Sequence, residues 1–141
     1  MKSILFICTG NTCRSQMAEG LAREFGWQAY SAGVNPSKQV NPYAVAVMQE
    51  KGLNIAEQLP KDLDSFICMD IDYIVTLCDH ANEVCPVFTG SYKKLFHHGF
   101  PDPYGATGTD EEILDVYRKT RDDISDWLKR FTEEMGVLNP S

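Results

Sequence analysis

Cys8 and Arg14, separated by five residues, bracket the polar stretch Thr9-Gly10-Asn11-Thr12-Cys13, with Ser15 directly after the arginine. A thiol and a guanidinium at that spacing suit attack on a tetrahedral oxyanion: the sulfur forms the bond, and the planar, permanently charged fork holds the oxygens. The flanking residues say how the two are presented. Ile4 to Ile7 is an apolar run that reads as a buried strand. Gln16 to Phe25 reads as a helix, with Met17, Ala18, Leu21, Ala22 and Phe25 along one side. The polar stretch is therefore a strand-to-helix loop, whose backbone N–H groups and helix dipole can converge on an anion. Gly10 is expected to supply the positive φ that a concave loop needs. The same field favours the reactive, ionised form of Cys8, and Ser15 can donate a hydrogen bond to its sulfur. Thr9, Gly10, Asn11, Thr12, Cys13, Arg14 and Ser15 form the expected oxyanion cradle. The competing reading makes Cys8 a small buried hydrophobe and Gly10-Asn11 an ordinary turn.

Four more thiols need an account: Cys13, Cys68, Cys78 and Cys85. A structural zinc site prefers cysteines two to four residues apart, whereas Cys78 and Cys85 have six between them, so no metal is expected. Cys68 lies among Leu63, Phe66, Ile67 and Met69 and is expected to pack with them. Cys78 closes the run Asp72-Tyr73-Ile74-Val75-Thr76-Leu77, the clearest strand after the first, so both strands end on a cysteine. In a parallel α/β sheet, reactive groups gather beyond the carboxyl ends of the strands, which brings Cys8 and Cys78 to one edge.

The remaining elements are marked by local signals. Trp27 to Ser31 reads as a strand, interrupted by Ala32-Gly33 and Asn35-Pro36. Asn41 as cap, Pro42 as first residue and Gly52 as stop frame a second helix. Lys94 to Gly99 is a fourth strand candidate, and Thr109 to Phe131 a long last helix. In that helix Thr109 and Glu112 form a capping box, and Ile113, Val116, Tyr117, Ile124, Leu128 and Phe131 trace the apolar face. Alternating strands and helices imply an α/β domain: three layers, a four-stranded parallel sheet with right-handed crossovers, and helices on both faces. Residues 136–141 are expected to fray.

At 141 residues the chain is long enough for one core, and residues 1–141 read as a single domain. Thirteen Lys and Arg against twenty Asp and Glu, a net charge of -7, argue against nucleic acid or an anionic membrane as partner. No signal peptide or membrane-length apolar run is present, so a cytoplasmic location is expected. There, cysteines are more often catalytic or metal-binding than cross-linking.

The segment CTGNTCRSQMAEG resembles the signature of the low-molecular-weight tyrosine phosphatase superfamily, and more narrowly its arsenate reductase branch, which carries Gln rather than Pro after Arg-Ser. The phrase VTLCDHANEVCP is similar to the redox segment of the thioredoxin-coupled members. The resemblance spans residues 2 to about 131 and implies the strand order 2-1-3-4. It implies that Cys8 attacks arsenate, with phosphate or sulfate as competing oxyanions. Cys78 and Cys85 then carry the resulting disulfide away, and thioredoxin returns them to thiols. Asp102, in Gly-Phe-Pro-Asp-Pro-Tyr-Gly, matches the acid that protonates the leaving oxygen. No bound organic cofactor is implied. Some members hold potassium beside the loop, where Asn11, Glu19 and Ser31 match; Lys61 falls where a carboxylate is wanted, and its ammonium is expected to replace the ion. Tyr104 after Asp-Pro is the phosphatase-like form, which leaves aryl phosphate hydrolysis as the alternative activity. A non-enzymatic oxyanion or thiol sensor is a third reading.

Overall fold

The computed structural model describes residues 2–79 and 88–137. Four strands, β1 (Ser3–Cys8), β2 (Gln28–Gly33), β3 (Asp70–Thr76) and β4 (Ser91–His97), pair in parallel in the order β2-β1-β3-β4. Three α-helices, α1 (Arg14–Glu24), α2 (Pro42–Gln49) and α3 (Asp110–Glu134), alternate with them. A 3₁₀ helix at Leu63–Phe66 precedes β3.

The central strand β1 is buried along its whole length, as a continuous apolar run between two covered faces must be. Ile4 and Phe6 enter the larger core, with Met17, Trp27, Val47, Leu128 and Phe131. Leu5 and Ile7 point the other way, into a smaller cluster with Leu63, Phe66, Ile74 and Phe88. The helices thus cover the two faces unequally, the three α-helices on the first and the short 3₁₀ helix on the second.

The capping signals act as read. Asn41 accepts a hydrogen bond from Tyr43 N at 2.8 Å ahead of Pro42. Thr109 and Glu112 exchange the two bonds of a capping box, 3.1 and 3.2 Å, with Asp110, Glu111 and Glu112 in the first turn. Boundaries shift elsewhere. Helix α1 begins at Arg14, so the arginine is itself helical, and β4 runs three residues earlier than Lys94, because its pairing with β3 starts at Asp70–Ser91. Cys78 lies two residues past the end of β3 rather than within it. Val116 is exposed, off the buried stripe of α3. Cys68, expected to pack, is exposed: Leu63 and Phe66 fill the space under the sheet and leave the next turn outside. Gly136 and Val137, expected to fray, are tied by hydrogen bonds to Glu133 O and Thr132 O. Among the described residues, no helix is long and apolar enough to cross a membrane.

Candidate active site

Beyond the carboxyl end of β1 the chain turns through Thr9–Cys13 into α1 and walls a cavity of about 240 Å³, with Cys8 and Arg14 in its lining. Both side chains are almost wholly buried. The helix starts on Cys13 with no side-chain cap, so its first N–H groups remain available to an anion.

The positive φ of the loop falls on Asn11, at 49°, and not on the expected Gly10. Asparagine tolerates that region when its side chain is anchored, and this one is. Asn11 Nδ2 donates to Ser15 Oγ at 2.8 Å, and Asn11 Oδ1 accepts from Lys61 N at 2.8 Å. Ser15 Oγ in turn stands 2.8 Å from Cys8 Sγ. Asn11 and Ser15, both fully buried, lie behind the cavity wall and brace it, whereas Thr9, Gly10, Thr12 and Cys13 line it. Gln16 completes the brace: its Nε2 donates to Asn11 O at 3.0 Å and to Leu59 O at 3.1 Å. A proline at 16 lacks the side-chain amide for either bond.

A second brace comes from the stretch after β2, read from sequence only as a break. Asn35 N donates to Thr9 O, Ser37 N to Gly10 O and Asn41 N to Thr12 O, each at 3.0 Å. Gly33 admits this packing, since a Cβ there would lie 2.5 Å from Thr9 O. Asn35 and Ser37 also line the cavity, and their polar side chains beside Pro36 were the only signal in the sequence.

Arg14 Nη1 donates to Phe100 O at 3.0 Å and reaches Leu77 O at 3.4 Å. Its Nη2 stands 3.4 Å from Asp102 Oδ2. Asp102, 45 % exposed in its side chain, also caps the turn Pro103–Gly105 by accepting from Tyr104 N. Cys8, Arg14 and Asp102 thus share one cavity, with Tyr104 at its rim, 66 % exposed. Cys13 is buried, with its sulfur 3.5 Å from Tyr117 Oη. Burial pushes its thiol up to about 12, which keeps it protonated near neutral pH.

Cys78 follows β3 as Cys8 ends β1, and these strands are neighbours. It is fully buried and disulfide-bonded, whereas the free thiols among the described residues are Cys8, Cys13 and Cys68. Cys85 and His80 lie outside the described residues. Of the adjacent histidines, His97 Nδ1 is 2.7 Å from Thr76 Oγ1, whereas His98 stacks on Phe100 with ring centres 4.6 Å apart.

The residues matched to a potassium site do not fit a required ion. Glu19 Oε1 accepts from Ser31 Oγ at 2.6 Å and lies 3.7 Å from Lys61 Nζ, while its Oε2 pairs with Arg23 at 2.8 Å. Two cations already serve that carboxylate.

The family model for low molecular weight phosphotyrosine protein phosphatases matches residues 3–137. The chain belongs to this family. Within it, the phosphatase-family chain is 47% identical over 135 residues to an arsenate reductase of Halalkalibacterium halodurans, covering 94% of this chain and 96% of the relative. It is 44% identical, with the same coverage, to the arsenate reductase of Bacillus subtilis strain 168. A solved arsenate reductase in the phosphate binding state superposes with a TM-score of 0.79 at 29% identity, covering 95% of this chain and 98% of that one. The low molecular weight protein tyrosine phosphatase of T. tengcongensis superposes at 0.72 with 27% identity, covering 95% and 99%.

Proposed function

We propose that this chain reduces arsenate to arsenite through a relay of Cys8, Cys78 and Cys85, with thioredoxin as the final dithiol. The reading is supported most by the adjacency of two cysteines at one sheet edge. Leu77 N donates to Ile7 O at 2.9 Å, and Cys8 and Cys78 are the residues that immediately follow this pair. That Cys78 is disulfide-bonded rather than a free thiol supports a redox role for it.

In the proposed cycle, the Cys8 sulfur attacks arsenic, Arg14 and the loop N–H groups hold the oxygens, and one oxygen departs as water on a proton from Asp102. The Cys78 sulfur then attacks the Cys8 sulfur. A disulfide forms, the sulfur–arsenic bonding pair stays on arsenic, and As(V) leaves as As(III). Cys85 attacks Cys78, releasing Cys8 as a thiolate and leaving a Cys78–Cys85 disulfide, which a thioredoxin dithiol reduces while becoming a disulfide itself. Because Cys78 is fully buried, exchange with an outside dithiol requires it to reach the surface during turnover. Phosphate and sulfate, having the same shape, compete for the cradle. A relay recycled by thioredoxin belongs in a reducing cytoplasm.

Arsenate supplied with thioredoxin, thioredoxin reductase and NADPH tests the reading through cofactor oxidation. Wild type should oxidise NADPH, and Cys78→Ser and Cys85→Ser should each stop multiple turnover. A second reading, hydrolysis of aryl phosphates, is favoured by Tyr104, whose exposed ring stands at the rim beside Asp102. It needs Cys8, Arg14 and Asp102 but neither later cysteine. Brisk phosphate ester hydrolysis with no NADPH oxidation would select it.

A further inference from the structure

The carbonyls of Thr9, Gly10, Asn11 and Thr12 are all held from outside the loop. Three of them accept from main-chain amides: Asn35 N bonds Thr9 O, Ser37 N bonds Gly10 O and Asn41 N bonds Thr12 O, each at 3.0 Å. The fourth, Asn11 O, accepts from a side chain, Gln16 Nε2, also at 3.0 Å. The Asn11–Thr12 peptide is trans, so its C=O and N–H point in opposite directions. A carbonyl drawn back to the buried Gln16 therefore turns the next N–H, that of Thr12, to the other side of the loop, and Thr12 lines the cavity. A side-chain amide can face either way, and here a second glutamine decides it. Gln16 Nε2 also donates to Leu59 O at 3.1 Å, which leaves Gln16 Oε1 to accept. Gln58 Nε2 donates to that oxygen at 2.7 Å and to Gln16 O at 3.1 Å. Arg23 orients Gln58 in turn, its Nη1 donating to Gln58 Oε1 at 3.4 Å. The bonds run one way, from Arg23 through Gln58 and Gln16 to Asn11 O. Gln58 itself is half-buried and does not line the cavity.

We propose that Gln58 is a positioning residue for oxyanion capture. By donating to Gln16 Oε1 it keeps the Gln16 amide nitrogen on Asn11 O, and so keeps the Thr12 N–H turned to the cavity as a donor to the anion. The proposal rests on the anion cradle of the function proposed above and not on the relay, since capture precedes both arsenate reduction and ester hydrolysis. A carboxylate at position 58 has the size of the amide and keeps Arg23 as its partner, but it cannot donate. The Gln16 amide then turns over to offer Nε2 to that carboxylate. Its oxygen comes to face Asn11 O and Leu59 O, two carbonyls left without a donor, and the Asn11–Thr12 peptide loses its anchor.

Titration of the whole protein with inorganic phosphate, followed by calorimetry, tests this. Gln58→Glu should raise Kd about tenfold, as expected when a buried acceptor loses its donor. That variant also adds a negative charge. The paired exchange Glu57→Gln with Gln58→Glu restores the net charge and should weaken binding by the same factor. In a Gln16→Met background there is no amide to orient, so the exchange should change Kd by less than about twofold, the mark of two residues acting through one contact. A wild-type Kd in the exchange variant would assign the effect to charge and overturn the proposal. An equal loss with and without Gln16 would assign it to packing of residues 54–61 and overturn it too. Should wild type oxidise no NADPH with arsenate while the phosphate affinities come out as expected, the relay falls and the role of Gln58 stands. A wild type that binds no phosphate removes the cradle, and the proposal with it.

Discussion

Ser15 Oγ sits 2.8 Å from Cys8 Sγ and accepts from Asn11 Nδ2 at the same distance, which leaves the hydroxyl proton for the sulfur. A hydrogen bond to a charged group contributes about 1.5–3 kcal/mol. Ser15→Ala should therefore lower kcat about 10- to 100-fold. The cavity wall is made by other residues, so KM for the oxyanion should change little. Steady-state kinetics with arsenate, or with an aryl phosphate, checks the split; a rise in KM at constant kcat would assign Ser15 to binding instead.

Gly33 meets Thr9 O where a side chain would stand, 2.5 Å from it. The obstacle is backbone, which a rotamer change cannot relieve, so Gly33→Ala should cost about 1–3 kcal/mol of stability by overpacking. It should also weaken oxyanion binding, because the loop it displaces forms the cradle. Gly105→Ala, with nothing within 4 Å of the added methyl, is the control and should leave the urea midpoint unchanged.

Alkaline titration should expose the buried thiol. Burial raises Cys13 from 9.0 to about 12, and burial also raises Tyr117. A raised folded value means that the unfolded chain gives up its proton first, so stability is full below about 9 and falls as pH climbs to about 12. Cys13→Ala should flatten this alkaline limb in urea melts, after allowance for the packing lost. Below pH 8, iodoacetamide should modify exposed Cys68 while sparing Cys13, and Cys68→Ser should not alter turnover.

Potassium should do nothing that sodium does not. Lys61 and Arg23 already neutralise Glu19, and the Asn11 side-chain carbonyl oxygen is bound to Lys61 N. Burial lowers the Lys61 ammonium from its ordinary value, against the attraction of Glu19. Thermal melts in equal concentrations of the two chlorides should coincide; a Tm several degrees higher in potassium would show that the lysine gives way to the ion.

Much of the scaffold was legible because its signals are local. The apolar run before Cys8, the Asn41-Pro42 start and the Thr109–Glu112 box each specify structure within a few residues. Cys8, Arg14 and Asp102 were legible as a set through their motifs, and they meet in one cavity. What escaped is tertiary. Asn35 and Ser37 carry no motif, and they reach the cavity only because Gly33 lets two loops touch. The assignment of positive φ to Gly10 followed backbone freedom, whereas Asn11 is held there by partners at Ser15 and Lys61, the latter fifty positions away. Cys68 sits in a segment of apolar composition, and composition does not say which side of a short helical turn meets the sheet.

The amides of Asn35, Ser37 and Asn41 occupy three carbonyls of the anion loop, so its shape is set by its neighbours before any ion arrives. A receptacle fixed in this way admits arsenate and phosphate on nearly equal terms, as they differ little in size and geometry. Discrimination between toxin and nutrient then falls to the chemistry after capture. The captured arsenic centre can take an electron pair from sulfur and depart changed, whereas bound phosphorus can only be hydrolysed or let go.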